Sequence, residues 1–340
     1  MAEGKPWKNL TIERKGSKLN LRHPIFPAPM AGAFEPPYRM ILHDMGIELS
    51  FTEMISARGT MEGSGKTLEL AGWVPEKGYS GAQIFGSDAN YVSDAAREMV
   101  RLGHDIIDLN AGCPKRKVLV QGSGGALLKD HDKFISIAAC ILDSVDVPVS
   151  VKTRSGFHVF EPNPFKKLLK DLESIGISMI SIHGRTVRQG YRDSADRDVI
   201  SIAAPILDIP VVASGDVRSL ADVLDYFGRG ASGVMVGRAM MGDPFFISRI
   251  ISEDQDPFPS KTDDVERIFS MAARHLDLSI DYYGEKRGCM KFRSQLGWYV
   301  RSFKGRKPYM DRIHHASSKD DFTSLMTEIL HEWKRQLGTC

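Results

Sequence analysis

Eight short apolar runs, most separated by segments with helical periodicity, constrain this chain more than any other feature. They cover Pro24 to Ala31, Ile47 to Glu53, Gly81 to Phe85, Asp105 to Asn110, Pro148 to Lys152, Ser178 to His183, Pro210 to Ser214 and Gly233 to Val236. Most are rich in Val, Ile or Leu and continuous rather than alternating, as strands covered on both faces require. Between them, Asp88 to Leu102, His131 to Ser144, Pro164 to Ile175 and Ser219 to Phe227 carry apolar residues three and four apart. Ser219, Asp88 and Asp132 supply start signals for such helices. One interval, residues 55–79, is Gly-rich and poorly periodic and reads as an irregular excursion. Repeated strand–helix alternation is the pattern of a (β/α)8 TIM barrel, an α/β fold, with a doubly wound open sheet as the alternative.

After Phe246 the pattern changes. Ser252 to Asp264 is polar, acidic and proline-containing, and beyond it Val265 to Tyr283, Lys291 to Phe303 and Lys319 to Leu337 look helical. The division expected is a catalytic barrel over 1–250, a linker over 251–264 and an all-helical domain over 265–340. At 42% apolar and 26% charged, the chain has the composition of a globular protein. It contains no apolar run of about 18 residues, the length a membrane-spanning helix needs. The four cysteines, at 113, 140, 289 and 340, form no C-x-x-C pair or regular framework, which points to a reducing cytoplasm without disulfides or structural zinc.

Barrel chemistry sits at the C-terminal ends of the strands. The residues there are Met30, Glu53, Gln83, Asn110, Lys152, His183, Ser214 and Gly237, and seven of these eight carry a group capable of hydrogen bonding or soft contact. That regularity suits one shared ligand. The glycine turns Ser214-Gly215-Asp216 and Gly237-Arg238 follow the seventh and eighth strands, where barrels commonly cradle a phosphate. The plain alternative is two glycine turns and a surface arginine. Lys152, flanked by valines, reads either as a Schiff-base nucleophile or as a fixed cation beside an anionic ring. His183 precedes Gly-Arg-Thr at a strand end; a lone histidine on an apolar segment is more often a satisfied core residue. No second His or Cys at metal-ligand spacing accompanies it, so no metal is assigned.

Cys113 is the sharpest feature, in Asp108-Leu-Asn-Ala-Gly-Cys-Pro114. A free thiol, with a pKa near ~8.5, is mainly protonated at neutral pH and can act as an acid. The alternative is an inert buried cysteine, but the glycines of Gln121-Gly-Ser-Gly-Gly125 argue against burial. Net charge is only +2, yet Lys286 to Met310 holds eight Lys or Arg residues and no acid, interleaved with Phe292, Trp298, Tyr299, Phe303 and Tyr309. Such a patch suits RNA phosphates and unpaired bases; the alternative is a solvated helix face whose aromatics are core.

These motifs together resemble the tRNA-dihydrouridine synthases over essentially the whole chain. The resemblance is carried by Pro27-Ala-Pro-Met-Ala-Gly32, Ala82-Gln83, the Cys113 motif, Lys117-Val118 with Gly122-Ser-Gly-Gly-Ala-Leu-Leu128, Val151-Lys-Thr-Arg154, His183-Gly-Arg-Thr186, Gly237-Arg238 and Lys291-Phe-Arg-Ser-Gln-Leu-Gly-Trp-Tyr299. It implies FMN held by Pro29, Met30, Ala31, Gln83, Lys152, His183, Ser214, Gly215, Asp216, Gly237 and Arg238, with NADPH as electron donor. It implies Cys113 as the proton donor, and Asn110, Lys117, Arg154, Arg185, Lys291, Arg293 and Arg301 as residues for the target uridine and its tRNA. The reaction implied is reduction of specific uridines in tRNA to 5,6-dihydrouridine, with hydride to C6 and the Cys113 proton to C5. An FMN barrel that reduces a free pyrimidine base or enone is the alternative. No membrane and no obligate protein partner are expected. Two departures from the family pattern stand out: Ala33-Phe34-Glu35-Pro36 after Gly32, expected to bear on the pocket rim, and Ser214 where Asn is frequent.

Overall fold

A computed structural model describes residues 7–252 and 261–338. These form two compact units. The first holds the described residues up to Ala31 together with Gly46–Gly237; the second holds Gly32–Met45 and the described residues from Arg238 onward.

The first unit is the barrel. Its strands are β1 (Leu10–Arg14), β2 (Ser17–Leu21), β3 (Ile25–Pro27), β4 (Leu49–Phe51), β5 (Ile55–Ser56), β6 (Tyr79–Phe85), β7 (Ile106–Ala111), β8 (Val149–Arg154), β9 (Met179–His183), β10 (Val211–Ser214) and β11 (Gly233–Val236). Eight of them run in the order β3-β11-β10-β9-β8-β7-β6-β4, and every pair is parallel. The two ends of this path meet through side chains: the rings of Phe26 and Phe51 lie 6.1 Å apart. All eight expected runs supply these strands. The (β/α)8 expectation therefore holds, and the open-sheet alternative falls.

Side chains alternate along each strand, so the inward positions form layers. Phe26, Leu49, Phe51, Ile106, Met179, Val212 and Met235 fill the lower layer. Two residues further along β7, β8 and β9 come Asp108, Ser150 and Ser181, and two further again Asn110, Lys152 and His183. The lower layer is closed by a feature the sequence reading missed, the β1–β2 hairpin. It turns at Lys15-Gly16, both at positive φ, and adds Leu10, Ile12, Leu19 and Leu21 to the same core. Arg14 fastens it by donating to the carbonyls of Leu142 (2.7 Å) and Val145 (2.6 Å) at the end of helix His131–Ser144.

Three local expectations change. Residues 55–79 hold two short helices, Ala57–Met61 and Gly65–Ala71, where an irregular excursion was expected. Short length, not lack of structure, hid their periodicity. Helix His131–Ser144 is capped by Asp130, whose carboxylate accepts from the Lys133 amide at 3.0 Å, and Asp132 lies in its first turn. Residues 251–264, expected as linker, lie partly outside the described residues, and helix Lys261–Tyr283 begins within them.

The second unit is helical among the described residues. It comprises Pro36–Asp44, Phe246–Ile251, Lys261–Tyr283, Glu285–Tyr299, Lys307–His315 and Lys319–Leu337, with two short 3-10 turns. Gly288 lets two of these helices approach, since a Cβ there would stand 2.5 Å from the Ser279 carbonyl oxygen. Its aromatic core includes Phe303 stacked on Trp333 (5.3 Å) and Phe292 edge-on to Phe322 (5.1 Å). Ser318 and Asp321 form a capping box that starts the last helix. Cys113, Cys140 and Cys289 are free thiols; Cys340 lies outside the described residues.

Candidate active site

A directed chain of hydrogen bonds crosses the mouth of the barrel. Asp108, fully buried on β7, accepts from Ser150 Oγ (2.7 Å) and from Gln83 Nε2 (2.7 Å). Gln83 Oε1 in turn accepts from Asn110 Nδ2 (2.8 Å). Asn110 Oδ1 then accepts from the amides of Gly112 (3.2 Å) and Cys113 (2.9 Å). An ionised carboxylate only accepts, so Asp108 fixes which way the Gln83 amide faces, and Gln83 fixes Asn110. One buried charge thus aims an acceptor at the backbone of Cys113. The sequence signal for Asp108 is its position two residues before Asn110, on the same face of one strand.

Cys113 itself is half-buried. Burial pushes its thiol up, opposed by the Lys115 amide and by the charges of Arg154 and Lys115. It therefore holds its proton at neutral pH. The glycine loop lies against it rather than exposing it. Gly125 donates its amide to the Cys113 carbonyl (3.1 Å), and a Cβ on Gly124, at φ +58°, would stand 3.1 Å from the Cys113 Cβ.

Lys152, half-buried on β8, donates to Ser214 Oγ at 3.5 Å. Burial and the nearby Arg154 cation lower it to about 8, while Asp108 opposes the fall. Burial raises Asp108 to about 6, with Ser150, Gln83 and Lys152 opposing. These directions leave an interval near neutrality in which both groups are charged. On β9, His183 Nε2 lies 3.1 Å from Arg185 Nη1. A guanidinium only donates, so Nε2 accepts and the neutral ring carries its proton on Nδ1.

Arg185 is 1% exposed, and its other bonds go to the carbonyls of Arg192 (3.0 Å) and Asp193 (2.6 Å) and to Asp216 Oδ2 (2.5 Å). That pair holds Asp216 at φ +48°, a region few non-glycine residues adopt. Gly215 must be glycine: its φ is +121°, and a Cβ would stand 2.7 Å from the His183 ring. Arg154, also buried, joins two loops. Its Nε donates to Gly112 O (2.8 Å), and its Nη1 to Thr186 O (2.9 Å) and Gly190 O (2.7 Å). Its fork lies on main chain, a use its position in a motif did not announce. Lys117 is exposed beside the Cys113 loop.

The mouth has the features an anionic planar group needs. Lys152 offers a cation with one hydroxyl partner. Its register neighbour Ser181 has a buried Oγ that meets no hydrogen-bond partner among the described residues. Gly237 leaves space that a Cβ would narrow to 3.0 Å from Met30 Sδ. Pro29 and Ala31 flank Met30 in the loop after β3. Among the described residues, no group of three or more His, Cys, Asp or Glu is arranged to hold a metal ion.

Arg238 and the three tail residues belong to the helical unit. Arg301 donates to the carbonyls of Arg238 (2.8 Å) and Ala239 (2.9 Å), and Arg293 to that of Ala316 (2.8 Å). Lys291 lies 3.8 Å from Glu35 and 4.3 Å from the Tyr283 ring centre. Phe292, Tyr299 and Phe303 are fully buried. For these three aromatics the core alternative is the correct one, because the helical unit needs them to fill its interior. The Phe34-Glu35 departure is likewise interior. Phe34 stacks on Tyr38 (5.5 Å), and Glu35 lies 3.4 Å from both His275 Nε2 and Gln295 Nε2.

Comparison with known proteins agrees with this geometry. Residues 26–334 match the family model for dihydrouridine synthase. A probable tRNA-dihydrouridine synthase of Rhizobium leguminosarum bv. phaseoli is 32% identical over 289 residues, covering 84% of this chain and 87% of the relative. The tRNA-dihydrouridine synthase B of Vibrio vulnificus is 33% identical over 290 residues, covering 84% and 89%. That of Escherichia coli K12 is 34% identical over 291 residues, covering 83% and 88%. Among solved structures, the 6-hydroxypseudooxynicotine amine oxidase of Pseudomonas geniculata N1 shares the fold, with a TM-score of 0.59 at 14% identity over 74% of this chain and 49% of that one. With its family match spanning both units, this chain belongs to the dihydrouridine synthase family, flavin-dependent oxidoreductases.

Proposed function

We propose that this protein reduces uridines in tRNA to 5,6-dihydrouridine, using bound FMN and NADPH, in the cytoplasm. Family membership carries the reaction class. The observation that supports the chemistry is the Asp108–Gln83–Asn110 chain, which holds the Cys113 backbone at a mouth ringed by Lys152, His183 and Ser214.

When bound, the flavin supplies the hydride that adds to C6 of the uracil ring. The residues that would hold it are Pro29, Met30, Ala31, Gln83, Lys152, His183, Ser214, Gly215, Asp216, Gly237 and Arg238. In this reading, Lys152 contributes a fixed positive charge, and His183 Nδ1–H and the backbone at Gly215 and Gly237 contribute donors. Arg185 and Asp216 keep His183 and Gly215 in position. Hydride addition leaves an enolate, which needs a proton at C5. Cys113 holds one at Sγ, because burial keeps the thiol neutral, and donates it as general acid. Asn110 has a second task in this reading: it fixes the Cys113 loop and presents polar atoms towards the base. The target uridine must leave its stack to reach these groups. Lys117, Lys291, Arg293 and Arg301 then contact the RNA backbone. Arg154 steadies the Cys113 loop from behind.

The test is direct. The purified protein should be yellow and release FMN on denaturation, and Cys113→Ala should keep the flavin and its reduction by NADPH while losing dihydrouridine formation. A colourless protein that takes up no FMN refutes the cofactor assignment, and undiminished product from C113A refutes the proton donor. Among the described residues, no helix is long and apolar enough to cross a membrane.

A further inference from the structure

Around Lys117 the barrel carries a wider cationic surface, six of whose side chains have no role in the site described so far. Lys115, Arg116 and Lys117 are exposed in the loop after β7, as are Lys129 and Lys133 at its end, and Arg188 and Arg192 after β9. Among the described residues, no carboxylate forms an ion pair with any of the seven. Several exposed cations elsewhere on the barrel are paired, Arg97 with Asp94, Arg101 with Glu98, Lys167 with Asp171 and Lys170 with Glu173, while single lysines such as Lys77 and Lys166 stand apart rather than in a cluster. The acids in the same loops are Asp130, Asp132, Glu161, Asp193 and Asp196; Asp130 is engaged as a helix cap and Asp196 accepts from the Asp198 amide. From Cys113 to Lys129 there is no acid at all.

These loops form one continuous surface. Arg154 ties Gly112 to Thr186 and Gly190. Val187 and Arg188 donate their amides to the carbonyls of Gly156 and Phe157, both at 2.9 Å. Beside Arg188 opens a cavity of about 410 Å3 whose lining includes Lys129, His131, Phe157, His158, the exposed Val159 and one carboxylate, Glu161. Lys129 Nζ stands 4.3 Å from the Phe157 ring centre, and Arg188 Nη1 lies 3.4 Å from His158 Nδ1. His158 then accepts at Nδ1 and keeps an N–H at Nε2. Unpaired cations around an aromatic recess are the chemistry of a single-stranded phosphodiester with one splayed base.

The geometry points to a second RNA contact on the barrel itself. The loops after β7, β8 and β9 bind the phosphodiester strand flanking the target uridine, and the Phe157–His158 cavity takes one flanking nucleotide. This rests on the tRNA reading, and the experiment separates the two. Binding of an unmodified tRNA transcript is measured against salt for the wild type, for K129A/R188A and for the charge-keeping K129R/R188K. Two lost phosphate contacts should flatten the slope of log K against log salt by roughly 1.5 and weaken binding about tenfold or more near 100 mM salt. K129R/R188K should restore the slope. Lys170→Ala, on the paired outer face, should change neither quantity. Equal slopes for the wild type and K129A/R188A, with dihydrouridine still formed, overturn this surface and leave the enzyme reading intact. A wild type that binds no tRNA overturns both. Folding of each variant is checked by its retained flavin and urea midpoint, and loss of binding in K129R/R188K as well would also overturn the electrostatic account.

Discussion

Replacing Asn110 tests the hydrogen-bond chain at its most informative link. Its side chain makes three bonds, one to Gln83 Oε1 and two from the amides of Gly112 and Cys113. Asn110→Ala strands the buried Gln83 oxygen, at about 1–3 kcal/mol, and removes two amide bonds worth about 1 kcal/mol each. The expected loss is therefore about 3–5 kcal/mol in urea denaturation. Turnover should fall at least tenfold with flavin retained, because a displacement of about 1 Å at a reacting group can cost about 100-fold. Asn110→Asp separates the two ends of the chain. It keeps an acceptor for the Cys113 amide but turns a carboxylate towards Gln83 Oε1, and Gln83 cannot reverse without breaking its bond to Asp108. A protonated carboxyl restores the missing donor, so the folded state holds this proton more tightly than the unfolded chain. The stability of N110D should then approach that of the wild type in acid and fall away as pH rises. Asn110→Ala within about 1 kcal/mol of wild type, with undiminished turnover, would refute the chain as the device that positions Cys113.

Further outcomes follow from neighbouring groups. Burial raises Asp108 from 3.8 to about 6, so between those values the native protein keeps a proton that the unfolded chain has released. Stability should fall as pH rises through that window; Asp108→Asn should remove this fall in urea midpoints taken from pH 4 to 7, and an unchanged slope would contradict it. Arg154→Lys keeps the charge but cannot span the carbonyls of Gly112, Thr186 and Gly190. It should cost about 3 kcal/mol and most of the turnover, which unchanged stability would disprove. Arg301→Lys should lower stability, by losing the fork on Arg238 and Ala239, while preserving the salt dependence of tRNA binding. Arg301→Ala should reduce both, and identical behaviour of the two variants would exclude an RNA contact there.

The barrel was legible because a parallel strand covered on both faces must be a continuous apolar run, and eight of them recur here. The top layer was legible for a related reason: a polar residue ending such a run, as Asn110 and Lys152 do, has little purpose unless it meets a ligand or another polar group. What escaped depended on contacts between distant segments. The resemblance marks Arg154 and Arg185 as substrate residues, and no sequence pattern announces that their forks also lie on carbonyls of loops that only the folded barrel brings near. The β1–β2 hairpin was missed although Leu10-Thr-Ile-Glu and Lys18-Leu-Asn-Leu alternate around Lys15-Gly16; two short strands outside the strand–helix rhythm were easily passed over. In the tail, periodicity could not say which aromatics face inward. Phe292, Tyr299 and Phe303 do so, packing among Leu296, Val300, Leu325 and Ile329 in the interior of the helical unit.

The most direct test is a nucleoside analysis by mass spectrometry of an unmodified tRNA transcript incubated with NADPH and either the wild-type protein or Cys113→Ala. The wild type should convert uridine to a product two mass units heavier at defined positions, and C113A should leave the RNA essentially unconverted although its flavin is still bound and reduced. Absence of that product from the wild type, or equal yields from both proteins, would contradict a half-buried, neutral Cys113 completing the reduction.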